Sequence, residues 1–204
     1  MVSIPPNLEQ PPDRFHSNMP EIIDIILSRR SIRSFRNQTA DPEDITLLLK
    51  AAMSAPSACN SQPWEFIVVT YPDVMDQIRA KFLFARYNAP AAIVVCGNPE
   101  IANNSAARDH WVMDCSAATE NILIAAAGLG LGAVWIGVYP YQSRIKILSD
   151  LLGIPIHVTP LSLVYVGHPA EQKEPRTNYD EHRIYWQCYE PRKRKLKIKN
   201  AKYT

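Results

Sequence analysis

The sequence predicts one domain of the α+β or α/β class, and three observations carry that expectation. Segments with helical periodicity alternate with short apolar runs of strand character, which implies helices packed around a sheet of about four or five strands. The 204 residues suit a single domain with a full-sized core. The hydrophobic fraction of 47% and the charged fraction of 21% are those of an ordinary soluble globular chain.

The elements follow in order. Residues 1–20 hold Pro5, Pro6, Pro11, Pro12 and Pro20 and no apolar stretch, so they read as an arm without a core and not as a signal peptide. Glu21 to Ser28 is a short amphipathic helix. Asp41-Pro42-Glu43-Asp44 starts another, with a capping aspartate, proline at the first helical position and acids facing the helix dipole. That helix carries Ile45, Leu48, Leu49 and Ala52 on one face. A loop, SAPSACNSQPW, feeds a strand from Glu65 to Thr70, and Pro72 opens a third helix. Ala91 to Cys96 is a buried strand, Asp109 to Ala127 a long helix with many small residues, and Ala133 to Tyr139 a strand. A further helix ends at Leu152-Gly153, where glycine suits a left-handed cap, and Leu161 to Val166 is the last core strand. From Pro169 the polar chain reads as an arm that wraps over something else. The domain is expected to span residues 21–190.

Ile122 to Tyr139 is uncharged throughout and long enough to raise a membrane span. Gly128, Gly130 and Gly132 interrupt it, and the composition then turns β-branched and aromatic, so a buried helix, a turn and a core strand explain it better. The same glycines do not form a dinucleotide fingerprint, because they follow a helix and precede a strand, the reverse of the Rossmann order.

The net charge of +2 hides an asymmetry. Residues 191–204 hold seven of the 22 Lys and Arg and no acid, which leaves 15 basic residues against 20 acidic ones in the remainder. One short basic tail is not a recognition module, and nucleic acid is not expected as a partner. The four cysteines, Cys59, Cys96, Cys115 and Cys188, form no C-x-x-C pair, and the five histidines show no metal-ligand spacing. No metal is expected, and reduced thiols in a cytoplasm are the default.

Four segments carry candidate chemistry. Arg29, Arg30 and Arg33 surround Ser31 at a helix end, a set that could grip a phosphate or simply complement the helix C-terminus. The loop Ala55 to Trp64 offers rigid backbone and several amides for the edge of a flat heterocycle, with Trp64 itself a better core residue than a stacking one. At the strand end Trp135 to Gly137, the missing side chain at Gly137 admits close approach of a ligand. Arg183, in a late polar segment, is another cation, for which a surface ion pair is the plainer reading.

The order RRSIRSF, SAPSACNSQPWEFIVV, APAAIVVCGN, WVMDCSAATENILIAAAGLGLGAVWIGVY and YVGHPA closely resembles the short bacterial-type nitroreductases, from about Glu21 to Glu190. The resemblance implies an α+β fold with a mainly antiparallel sheet flanked by helices, in an intertwined homodimer with FMN at the subunit interface. It places Arg29, Arg30, Ser31 and Arg33 on the flavin phosphate and pyrimidine edge. Pro56, Ser57, Ala58, Asn60 and Gln62 would come from the other subunit, with Val134, Trp135, Ile136 and Gly137 along the ring near N5 and Arg183 on the phosphate. Reduced flavin carries negative charge over N1 and C2=O, so Arg33 or Arg29 is the expected electrostatic stabiliser. No acid–base residue is required. The implied activity is ping-pong transfer of electrons from NADH or NADPH to nitroaromatics, quinones or similar small acceptors. The same scaffold resembles reductive dehalogenases and flavin-cleaving enzymes, and a non-catalytic flavin-binding protein is the alternative outside catalysis. Two departures concern substrate preference: the stretch Lys81 to Asn88 is short, with Asn88 a stand-in for a second flavin-contacting polar segment, and Trp135-Ile136 replaces a glutamate found in some relatives.

Overall fold

The computed structural model describes residues 21–102, 104–176 and 178–189. The expected proline-rich arm 1–20 and basic tail 191–204 lie outside those residues. Five helices, α1 (Glu21–Ser28), α2 (Pro42–Met53), α3 (Pro72–Lys81), α4 (Ala106–Gly128) and α5 (Gln142–Leu152), accompany four strands, β1 (Trp64–Val69), β2 (Ala91–Gly97), β3 (Gly132–Gly137) and β4 (Thr159–Gly167). The strands form one sheet in the order β1-β2-β4-β3, with every neighbouring pair antiparallel.

Local signals behave as the residues require. Asp41 Oδ1 accepts the Glu43 N–H at 2.9 Å, with Pro42 opening α2. Gly153 closes α5 at φ 67°, the left-handed region where glycine carries no Cβ penalty. The glycine run does end a helix and start a strand: α4 stops at Gly128, Gly130 turns at φ 71°, and β3 begins at Gly132. No helix among the described residues is long and apolar enough to cross a membrane.

Helices cover both faces of the sheet, so the strands read as continuous apolar runs. Period-2 alternation sends Ala91, Ile93 and Val95 of β2 toward the core under α2 and α4, and Ala92, Val94 and Cys96 toward the core under α3 and α5. Trp64 belongs to the α2/α4 core and is buried, in keeping with its reading as a packing residue. Helix α1 differs. Its apolar side contains no buried residue, with Ile22 52% and Ile26 44% exposed.

Candidate functional site

The arginine segment is docked onto the edge of the sheet. Ser31 forms a parallel bridge with Ala133 of β3, and the Ile32 N–H donates to Ala133 O at 3.0 Å. Ile32 can sit this close because residue 132 is glycine: a Cβ there would lie 2.7 Å from Ile32 Cγ2 and 2.8 Å from its Cβ.

The polar arm beyond β4 runs back along the same segment. Phe35 bridges Pro169, the Arg36 N–H donates to His168 O at 2.8 Å, and the Ala170 N–H donates to Ser34 O at 2.9 Å. Glu171 Oε1 accepts the N–H of Arg33 at 2.6 Å and of Ser34 at 3.3 Å, and pairs with Lys173 at 2.9 Å. The Arg33 N–H above all, then Lys173, hold the Glu171 carboxyl below its ordinary range. Lys173 Nζ also donates to Ser31 O at 2.7 Å, and Arg30 Nη1 to Glu174 O. At least the first part of the arm thus braces its own chain's arginines.

Arg29, Arg30 and Ser31 line a cavity of about 220 Å³ together with Ile26, Arg176 and Asn178. Arg29 is steered by Glu120 of α4, whose Oε1 lies 3.4 Å from its Nε. Three guanidiniums and a hydroxyl around a small cavity form a donor set suited to a phosphate dianion. Arg176 was not singled out in the sequence, since a lone arginine in a polar arm carries no local signal. Arg33 lies next along the segment, exposed, its guanidinium 6.0 Å from the Tyr87 ring.

The loop before β1 is held in a strained shape. Cys59, Asn60 and Gln62 have φ of 50°, 53° and 45°. Asp114, buried in α4, fixes the turn: Oδ1 accepts the Ala58 N–H at 3.0 Å and Oδ2 the Ser61 hydroxyl at 3.1 Å. Ser57 Oγ accepts the Gln62 N–H at 3.0 Å, and Gln62 Nε2 donates to Asn60 Oδ1 at 2.9 Å. Pro56 stays exposed beside them. Asp114 carries no signal of its own in the sequence, because α4 also holds Asp109 and Glu120 and only burial sets Asp114 apart from them.

On β3 the candidate residues divide. The side chains of Val134 and Ile136 are buried in the α3/α5 core, so only their backbone can meet a ligand, while Trp135 points to the other face, partly buried. Beside Gly137 there is open space, since a Cβ there would meet nothing within 4 Å. Its carbonyl accepts Arg144 Nη1 at 2.7 Å, and the Arg144 guanidinium lies over the rings of Tyr141 and Phe84 at 4.1 and 4.3 Å.

Two expected positions have partners within the chain. Arg183 Nε donates to Asp180 Oδ2 at 3.0 Å, and at 61% side-chain exposure it forms the surface ion pair that was the plainer reading. Asn88 holds the backbone of Phe35: its Oδ1 accepts the Phe35 N–H at 3.0 Å and its Nδ2 donates to Phe35 O at 2.7 Å. The loop 56–62 and the arginine segment also remain separate. They lie by opposite edge strands, and no hydrogen bond or ion pair joins them among the described residues. Among those residues, no group of three or more His, Cys, Asp or Glu side chains could hold a metal.

The chain is 48% identical over 158 residues to a protein of Archaeoglobus fulgidus assigned as an NADH dehydrogenase/NAD(P)H nitroreductase, covering 76% of this chain and 90% of that one. A crystal structure from Parabacteroides distasonis, assigned in the same words, superposes with a TM-score of 0.77 at 36% identity, over 84% of this chain and all of the other. A nitroreductase structure from Desulfovibrio desulfuricans, solved in complex with FMN, gives a TM-score of 0.70 at 26% identity, over 85% and 100% of the two chains. The nitroreductase family profile matches residues 26–86 and 81–168, which takes in the arginine segment, the strained loop and the β3 edge: the chain belongs to the nitroreductase family.

Proposed function

We propose that the protein is an FMN-dependent oxidoreductase, working as a homodimer, that takes electrons from NADH or NADPH and passes them to nitroaromatics, quinones or similar small acceptors by a ping-pong route. The observation that carries this reading is the division of one site between two places on the chain. A phosphate-sized cavity with three guanidiniums and an open strand end lie along one side, and an amide-rich loop lies by the far edge strand. A second copy supplies the loop that one copy cannot bring to its own arginines. The half-exposed apolar residues of α1 and the exposed Leu47, Met53, Met113 and Trp186 support a partner surface.

The residues present fit FMN, whose ring supplies the two-electron chemistry when bound. Arg29, Arg30, Ser31 and Arg176 suit its phosphate. Arg33 and Arg29 supply fixed positive charge where reduction builds negative charge. Gly137 and the backbone of Val134 to Ile136 line the ring, and Pro56, Ser57, Ala58, Asn60 and Gln62 of the second copy present backbone and amide groups at its edge. Arg183, paired within its own chain, contributes to the phosphate only by leaving Asp180. The four unpaired thiols suit a cytoplasm.

The purified protein should be a yellow dimer that releases FMN on denaturation. NADH or NADPH should bleach its absorbance within seconds, and a quinone or nitroaromatic should restore it. A monomer that does not take up FMN would overturn the reading.

A further inference from the structure

We propose that a second cationic pocket, formed around Arg36 and Arg86, binds a phosphate-bearing nucleotide. This cavity of about 500 Å³ shares no lining residue with the one formed by Arg29, Arg30 and Ser31. It gathers Arg36 and Thr39 from the chain leading into α2, Thr70 at the end of β1, Met75 and Arg79 of α3, and Arg86 from the loop before β2.

Charge points to an anion. Three arginines and no acid line the pocket. Arg79 is neutralised, with Nη2 and Nε donating to Asp76 Oδ1 at 2.6 and 3.2 Å and Nη1 to Ala89 O at 3.2 Å. Arg36 has a carbonyl for a partner, its Nε donating to Pro169 O at 3.1 Å, and no carboxylate answers its charge among the described residues. Arg86 makes no hydrogen bond or ion pair among those residues. Two uncompensated guanidiniums at one cavity repel each other and lower their energy by sharing an anion. Guanidinium geometry favours phosphate oxygens, which it meets with two parallel N–H donors.

Size and lining point to more than inorganic phosphate. The cavity falls in the size range of small-molecule pockets, and most of its lining residues are polar, with apolar surface supplied by Pro72, Met75, Ala89 and Pro90. Met75 is a buried apolar wall, and the hydroxyls of Thr39 and Thr70 suit a sugar or base edge. The ligand has two sources of identical chemistry: a free nucleotide, or the phosphorylated adenosine end of the electron donor.

The test is calorimetry on the protein as purified, at low ionic strength, with adenosine 2′,5′-bisphosphate and with pyrophosphate as probes. Saturable binding of the bisphosphate is expected, weakened at least tenfold by Arg86→Gln and by Arg36→Gln. Lys146→Gln, at an exposed lysine paired only with Asp150, should leave it unchanged. If the donor is the occupant, the two arginine variants raise KM for NADPH while kcat and the KM for NADH hold. If a free nucleotide is the occupant, both KM values hold while binding is lost. No saturable binding of the bisphosphate, pyrophosphate binding as tightly as the bisphosphate, or equal affinity in wild type and both arginine variants would overturn the proposal. Flavin absorbance is read on the same samples, so a colourless protein that still binds the bisphosphate separates this pocket's standing from that of the flavin site.

Discussion

Asp114 Oδ1 accepts the backbone N–H of Ala58 at 3.0 Å, across 56 residues of chain, and so ties the middle of α4 to the only described loop with three left-handed non-glycine residues. The other oxygen holds Ser61, which makes this one carboxylate the clamp on both ends of the turn. Removing it leaves two donors unsatisfied and releases a backbone that is unfavourable without support.

Asp114→Ala should therefore weaken flavin binding by about ten- to a hundredfold, the equivalent of about 1.5–3 kcal/mol for a lost charge-assisted bond. Asp114→Asn keeps an acceptor for Ala58 and a group for Ser61 to meet, and should cost much less. Fluorescence titration of apoprotein with FMN reads both; equal losses in the two variants would rule out the clamp.

The glycines of β3 separate packing from ligand space. Gly132→Ala collides with Ile32 and should lower stability by about 1–3 kcal/mol, with loss of flavin as the arginine segment lifts from the edge. Gly137→Ala has room in the chain and should change stability by less than about 0.5 kcal/mol, yet reduce flavin affinity. Denaturant melts with flavin content on the same samples would show the two effects parting. A Gly137→Ala protein with full flavin affinity would remove that strand end from the site.

Glu171 predicts a pH dependence. Its carboxyl titrates lower in the folded chain than in the unfolded one, so the folded state binds fewer protons and gains stability above the ordinary glutamate range. That contribution is lost as pH falls through the lowered folded value. Acidification should release flavin from the wild type over this window, because the braces on Arg33 and Ser34 go with the charge. Glu171→Gln should bind flavin less tightly at neutral pH and lose this acid-dependent step. A variant profile parallel to the wild type would exclude the mechanism.

Two thiols should be silent. Burial first, then nearby carboxylates, push Cys96 and Cys115 up to about 12, so both stay protonated and unreactive at neutral pH. Cys59 and Cys188 are exposed. Thiol labelling of the native protein should reach no more than those two, and denaturant should reveal the remaining pair. Rapid labelling of Cys96 in folded protein would contradict the packing.

The elements were legible because their signals are local. Asp41-Pro42 caps α2 whatever surrounds it, Gly153 adopts its left-handed turn, and the apolar run of β2 announces a strand covered on both faces. The boundaries moved by a few residues, as at α4, which begins at Ala106 and not at Asp109, with Asn104 Oδ1 accepting the Ala106 N–H at 3.0 Å. The candidate site was legible in part. The arginine segment, the amide loop and the β3 end stand out by residue type, whereas Glu171, Lys173 and Arg176 are ordinary charges in a polar arm until the arm folds back.

The amino-acid order by itself determined the class, the succession of helices and strands and the family, since periodicity, caps and turn residues act over a few positions along the chain. Tertiary structure alone decided which carboxylate clamps the loop, which glycine admits Ile32, that Asn88 serves Phe35, and that Arg36 and Arg86 share a cavity. Those relations join residues tens of positions apart through hydrogen bonds and charges that weaken within a few ångströms, and no reading along the chain measures that distance.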